Sequence, residues 1–469
     1  MQSFHYANKN PMDVFSFTLP TEIVYGPGVV KRLPEEMKRL GCGRSLIITD
    51  AGILRAGIAD RVRELIEEAG IPCRIYSGVE ANPKDVNCEE AARIAREFGA
   101  DSLIAVGGGS PIDCAKAVGV LLAHNAEKIK PYEGKTAATK PQPPLIAVPT
   151  TAGTGSELTF SAVITDTKNH YKMTVKSPFT AAKLALCDPE LTISVPPMVT
   201  ASTGVDALTH AIEGYTANCG EPIADAFALY SIELIYHNLE KAVKDGSDLE
   251  ARSAMLMGSM LGGMSFSHSD VASVHCVAES LGGMYDLPHG MCNAIFLPYV
   301  MEYNMDYCLE KYARVAQAMG FAFEDAREGA EMAVQAVKDL CRAVGLPTFR
   351  SQKVKVQDFD QLAEMSARNI STESNPRPMT KEDYLRVLWM AYEDGITPEK
   401  KRLMDLIDKA ALGDIEAAGE IAEGYFLGTF EDVPNYEKAK KWSHFAARFG
   451  NAKGLFVQAE LRRLGYIAE

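Results

Sequence analysis

Asp206 and His210 stand four residues apart in Gly204-Val205-Asp206-Ala207-Leu208-Thr209-His210. On a helix, that spacing puts both side chains on one face. Two more imidazoles follow, His275 and His289, the latter inside Leu287-Pro288-His289-Gly290. A lone Asp–His pair at this spacing is ordinarily structural. Three imidazoles with one carboxylate, however, make a mixed nitrogen–oxygen donor set suited to Fe(II), Zn(II) or a similar divalent ion. Such an ion does Lewis-acid chemistry: it binds an alcohol oxygen and lowers its pKa, or polarises the matching carbonyl.

A second cluster points to a nucleotide. Gly107-Gly108-Gly109-Ser110-Pro111-Ile112-Asp113-Cys114-Ala115-Lys116 follows the apolar run Ser102–Val106 and opens a helical stretch. Glycines let a backbone approach a diphosphate, and the N–H groups of a helix start offer it partial positive charge. Pro111 suits the first helical position, where a missing N–H costs nothing. The spacing is not G-x-G-x-x-G, and a glycine turn alone can simply close a corner. Another polar turn, Pro149-Thr150-Thr151-Ala152-Gly153-Thr154-Gly155-Ser156-Glu157, follows the strand-like Leu145–Val148 and offers hydroxyls for further cofactor contacts. Asp50 ends an earlier strand-like run. There a carboxylate either bonds the adenosine ribose, favouring NAD over NADP, or caps a helix.

The elements that must position these groups can be read coarsely. Short β-branched runs alternate with helical stretches through residue 195: Arg44–Asp50, Cys73–Tyr76, Ser102–Val106 and Leu145–Val148 as strands, with Ile58–Ala69 and Glu89–Phe98 as helices. This alternation predicts an α/β dinucleotide-binding domain built on a parallel, doubly wound sheet over 1–195. Ala-, Leu- and Met-rich helical spacing then dominates, predicting an all-helical metal-binding domain over 196–400. Residues 401–469 carry an internal repeat: Gly413-Asp414, Ala422-Glu423 and Leu427-Gly428 return as Gly450-Asn451, Ala459-Glu460 and Leu464-Gly465, each 37 residues on. That period belongs to helix-pair solenoids and resembles a Sel1-like repeat. One and a half repeats bury little core alone, so the expectation is docking on the main body or on a protein partner.

Composition narrows the classes. Hydrophobic residues are 47% and charged residues 23%, as in ordinary globular chains, and the formal charge is -14. An acidic surface argues against nucleic acid as a main partner. No apolar run is long enough for a membrane span, and the opening MQSFHYANKNPMDVF lacks a signal-peptide core. Ten scattered cysteines without a Cys-x-x-Cys pair suit free thiols, and a cytoplasmic setting is expected.

In order and spacing, Gly107–Lys116, Pro149–Glu157, Gly204–Glu213 and His275 through Pro298 resemble the iron-containing (group III) alcohol dehydrogenase family, over roughly residues 12–395. The resemblance implies Asp206, His210, His275 and His289 as metal ligands, with Fe2+ favoured and Zn2+ the alternative. It places Asp50, Gly107, Gly108, Gly109, Ser110, Asp113, Thr150, Thr151, Thr154 and Lys172 along an NAD(H) site. It implies a small alcohol, diol or aldehyde as substrate, hydride transfer to or from nicotinamide, and a homodimer or larger assembly. Family members often carry a histidine four residues after the third ligand; here Glu279 stands there, and His268 replaces a usual asparagine. Glu279 or His268 is expected to serve a proton relay, with Glu279 as an orienting partner of a ligand histidine the alternative. Phe160, Ser161 and Phe266 flank the motifs as candidate substrate-pocket walls. Glycerol dehydrogenase, dehydroquinate synthase, maleylacetate reductase and hydroxyacid–oxoacid transhydrogenase are related readings. An inert adaptor that recruits partners through the repeat is a reading of a different class.

Overall fold

The computed structural model describes residues 14–169, 171–394, 398–430 and 433–467; most of the opening segment read above lies outside them. Six strands form one parallel sheet: β1 (Glu22–Tyr25), β2 (Ser45–Asp50), β3 (Cys73–Val79), β4 (Ser102–Gly107), β5 (Leu145–Pro149) and, later in the chain, β8 (Leu184–Cys187). Their order is β1-β8-β5-β4-β2-β3. The central strands are buried on both faces, which is why they read as continuous apolar runs. Ile47, Ile104, Val106, Ile146 and Val148 pack with Met37, Val62 and Ile66 on one side. Leu46, Ile48, Leu103, Ala105, Leu145 and Ala147 pack with Cys88, Ala92, Ile112 and Val118 on the other. From β2 the chain steps outward to β3, then returns across β2 to β4 and continues the opposite way. The strand order therefore reverses between β2 and β4, and in an open α/β sheet such a point is where ligands bind.

The helix after β4 spans Gly109–His124. Pro111 is its third residue rather than its first; it still lies in the first turn, where an absent N–H is harmless. Between β5 and β8 the chain makes an antiparallel hairpin that the sequence reading did not single out, β6 (Ser161–Asp166) and β7 (Tyr171–Lys176). Ala162, Ile164, Met173 and Val175 face the core of the sheet domain.

Helices dominate from Pro197 onward, and three of them carry the candidate ligands: Pro197–Thr216, Ser273–Tyr285 and His289–Ala318. Sheet and helices share a buried seam, where Leu158, Ala185 and Cys187 meet Leu256, Met260 and Met264. In that seam the backbones of Gly155 and Gly263 are so close that a Cβ on Gly155 would lie 2.7 Å from the Gly263 Cα. The chain accordingly divides into two compact units, Met1–Tyr392 and Glu393–Glu469, with sheet and helices together in the first. In the second unit, Asp414 and Asn451 each cap a helix through the side chain, and Gly413, Gly450, Gly428 and Gly465 all have positive φ. The sequence period is thus also a backbone period. Its own core gathers Leu406, Ala418, Ile421, Tyr425, Phe430, Ala446, Val457 and Leu461. Among the described residues, no helix is long and apolar enough to cross a membrane.

Candidate active site

The carboxyl ends of β2, β4 and β5 place three predicted stretches side by side. Gly107 pairs with Pro149 across β4 and β5, so the glycine turn and the threonine-rich turn emerge together. A Cβ on Gly108 would lie 2.8 Å from the Thr151 Oγ1, and one on Gly109 would lie 2.7 Å from the Thr154 Cγ2. Any larger residue would push the two turns apart, so the pairing of glycines with threonine side chains is what keeps this cradle closed. Ser110 lies in the same first turn, half-buried, and the Thr150 hydroxyl is buried with no hydrogen-bond partner. Asp50, across the switch point, caps the short helix Ala51–Arg55: its Oδ1 accepts from the amides of Gly52 and Ile53 at 2.7 and 2.9 Å.

Oδ1 of Asp113 accepts from Ser156 Oγ at 2.5 Å and its Oδ2 from Val163 N at 2.9 Å. Beside it the fully buried Lys116 donates to Ser156 Oγ, Thr159 Oγ1 and the Ser161 carbonyl. Each carboxylate oxygen accepts a bond within the protein, so Asp113 ties the helix to the second turn and to β6.

The second centre lies in the helical region. Asp206 and His210 sit on one face of Pro197–Thr216, His275 in the first turn of Ser273–Tyr285, and His289 opens His289–Ala318. One ligand atom from each lies within 4.8 Å of all the others. Burial, above all, pushes the His210 imidazole down to about 4 and that of His289 well below its ordinary value, which keeps both lone pairs available. His275 differs: burial lowers it, but the hydrogen bond and charge of Glu213, with the charges of Asp206 and Glu279, together raise it overall. Nδ1 of His275 donates to Glu213 at 2.5 Å, leaving Nε2 turned toward the cluster, 3.0 Å from His210 Nε2. Glu213 also accepts from the backbone amides of Ala272 and Val274. One buried carboxylate thus caps the helix start and fixes a ligand ring, the usual carboxylate–histidine support of a metal centre. Asn293 reaches the same spot, its Nδ2 2.7 Å from Asp206 Oδ1. Neither Glu213 nor Asn293 was chosen from the sequence; Glu213, one turn beyond the Asp–His pair on the same helix, carried a recoverable signal. The donor set fits a divalent transition metal: three imidazoles, two of them kept neutral by burial, and one carboxylate.

Lys172 on β7 lies against the helix that carries His275. Its side chain lies over Gly282, where a Cβ would approach Nζ to 3.3 Å. Burial lowers its pKa, partly offset by the charges of Glu279, Asp206 and Asp113. Glu279 accepts from Asn369 Nδ2 at 2.6 Å, while the partner that orients His275 is Glu213. His268 is committed elsewhere: Nδ1 lies 3.0 Å from the Met264 carbonyl, Nε2 3.2 Å from the Thr18 amide, and the ring stacks on Phe17 at 4.0 Å. With both ring nitrogens on backbone, it pins the chain entering β1 and has no nitrogen left to relay a proton. Phe266 stacks on His210 at 4.4 Å and so borders the cluster. Phe160 packs edge-on to His268, and the Ser161 carbonyl is taken by Lys116.

Comparison with known proteins agrees with this geometry. The model of the iron-containing alcohol dehydrogenase family matches residues 20–189, and that of the family's C-terminal region matches 200–392. Choline dehydrogenase of Bacillus subtilis (strain 168) is 39% identical over 388 residues, covering 82% of this chain and 94% of that protein. The 1,3-propanediol dehydrogenase of Citrobacter freundii is 37% identical over 384 residues, covering 81% and 99%. The solved structure of an alcohol dehydrogenase from Oenococcus oeni superposes with a TM-score of 0.79 at 38% identity, covering 81% of this chain and all of that one. The chain belongs to the iron-containing alcohol dehydrogenase family.

Proposed function

We propose that this protein is a metal-dependent, NAD(H)-linked alcohol dehydrogenase and aldehyde reductase acting on a small primary alcohol, a diol or the matching aldehyde. The observation that carries the reading is the convergence of four donor atoms, from Asp206, His210, His275 and His289, within 4.8 Å. Fe(II) is the favoured ion and Zn(II) the alternative. A divalent ion held there supplies Lewis acidity toward an alcohol or carbonyl oxygen. Nicotinamide supplies the hydride acceptor or donor, and the chain's share is to orient it. Gly107, Gly108, Gly109 and Ser110 cradle the diphosphate, with Thr150, Thr151 and Thr154 beside them. Lys172 reaches from the hairpin toward the reacting end. Asp50 keeps Oδ2 outside its capping bonds, so its cap and a ribose contact are compatible. Phe266 walls the substrate side, and Glu279 is the group that takes or returns the proton.

The relatives act, by their names, on choline and on 1,3-propanediol. Their chemical spread supports a small alcohol without choosing one. The test is direct: His275→Ala loses bound metal and turnover while NADH fluorescence still reports binding. Full turnover in metal-stripped protein overturns the reading.

For the second unit we propose a Sel1-like helical repeat that engages a protein partner. Support comes from the 37-residue period and from exposed aromatics, with Phe449 at 64% and Phe456 at 51% accessible. A cytoplasmic homo-oligomer fits the free cysteines and the family relationship.

A further inference from the structure

Asn293 sits one turn into the His289–Ala318 helix and is fully buried. Its Nδ2 is 2.7 Å from Asp206 Oδ1, 3.0 Å from His275 Nε2 and 3.2 Å from His289 Nε2. All three partners belong to residues of the four-donor cluster. The other end of the amide is different: Oδ1 is buried and has no hydrogen-bond partner. Its amide nitrogen is thus turned toward Asp206, His275 and His289. An amide NH2 carries only two hydrogens, so it serves three acceptors incompletely.

We propose that the Asn293 carboxamide is a positioning and competing group of the metal centre: it holds Asp206, His275 and His289 together by donating to them, and yields those lone pairs to the ion. This rests on the metal-centre reading above and adds a sign to it. A group that orients a ligand from outside, as Glu213 does for His275, strengthens ion binding. A donor aimed at the lone pairs themselves opposes it, because donor and cation draw on the same atoms. With Oδ1 unpartnered, no competing hydrogen bond has to be broken for the amide to turn.

The experiment compares wild type, Asn293→Ala and Asn293→Leu, each stripped of metal. Zn(II) affinity is measured by competition with a chromophoric chelator, and melting temperature with and without Zn(II). Removing the donor is expected to tighten Zn(II) binding by roughly tenfold, the equivalent of one to two ordinary hydrogen bonds. The metal-free form should melt lower in both variants, and the rise on adding Zn(II) should exceed that of wild type. Asn293→Leu keeps the side-chain shape and brings neither a donor nor a charge, so it carries the test if the smaller variant does not fold without metal. Unchanged affinity overturns the proposal, and so does weakening by the roughly 10- to 100-fold typical of a lost ligand-orienting partner. An equal loss of melting temperature in both states, which a purely packing role would give, also overturns it. Failure of wild type itself to bind Zn(II) sinks the metal centre instead, and is thereby told apart.

Discussion

The chemistry at the residue scale hangs on which side of a ligand each polar neighbour occupies. Glu213 grips the far nitrogen of His275 and two helix-start amides, so it fixes both the ring and the helix that carries it. Glu213→Gln keeps the size but removes the charge that raises His275; metal affinity is expected to drop about 10- to 100-fold, measured by chelator competition. Unaltered affinity would mean that the ring is held by packing alone. On the nucleotide side, Gly108→Ala brings a Cβ within 2.8 Å of Thr151 Oγ1. NADH affinity should weaken at least tenfold with metal content unchanged. Glu279 is settled by kinetics: Glu279→Gln should flatten one limb of the pH–rate profile, and an unchanged profile removes it as the proton carrier. The candidate cluster of Asp206, His210, His275 and His289 was legible because residue types suited to one divalent ion recur in a short part of the chain, with Asp206 and His210 at helical spacing. For Asp113 the sequence could not show the bonds to Ser156 and Val163, since membership of a motif does not say which way a side chain faces. The contacts of His268 with Phe17 and Thr18 were not legible, because they span about 250 residues of sequence.

At the scale of elements, the parallel strands were readable because burial on both faces leaves continuous apolar runs. The β6–β7 hairpin was not, although Ala162, Ile164, Met173 and Val175 alternate as a half-buried hairpin should. Its two arms are six residues each, and polar residues between the buried ones blur them into loop. The hairpin matters because it carries Lys172. Its turn is held by Asp166, whose carboxylate accepts from the amides of Lys168 and Asn169 and from Asn169 Nδ2. The Asn169 amide, with Lys130 assisting, keeps that carboxyl at about 2 instead of the ordinary 3.8. A carboxyl held low in the folded state contributes stability that is complete above its unfolded pKa and is lost as pH falls toward the folded one. The hairpin should therefore hold above about pH 4 and loosen between 4 and 2. Asp166→Asn is expected to make the acid limb of a stability-versus-pH curve shallower in that window; an identical limb would place the acid sensitivity elsewhere.

For the molecule as a whole, both centres of the proposed enzyme lie before Tyr392, in the first compact unit, and the family models end at residue 392. The repeat unit has its own buried core around Ile421, Ala418 and Val457, and its helices are capped by its own Asp414, Asn435 and Asn451. Its 37-residue period was legible because the caps and the positive-φ glycines recur together. If recruitment is its task, damage to that core should leave chemistry intact. Ile421→Ala removes a fully buried side chain, and such a loss costs about 2–5 kcal/mol, a large fraction of what a helical unit of this size has to lose. Limited proteolysis should then cut within residues 393–469 at conditions where wild type resists, while metal content and kcat stay within about twofold. A chain ending at Tyr392 should behave as that variant does. Parallel loss of turnover and tail protection would instead tie residues 393–469 to catalysis, although Asp206, His210, His275 and His289 all lie before Tyr392.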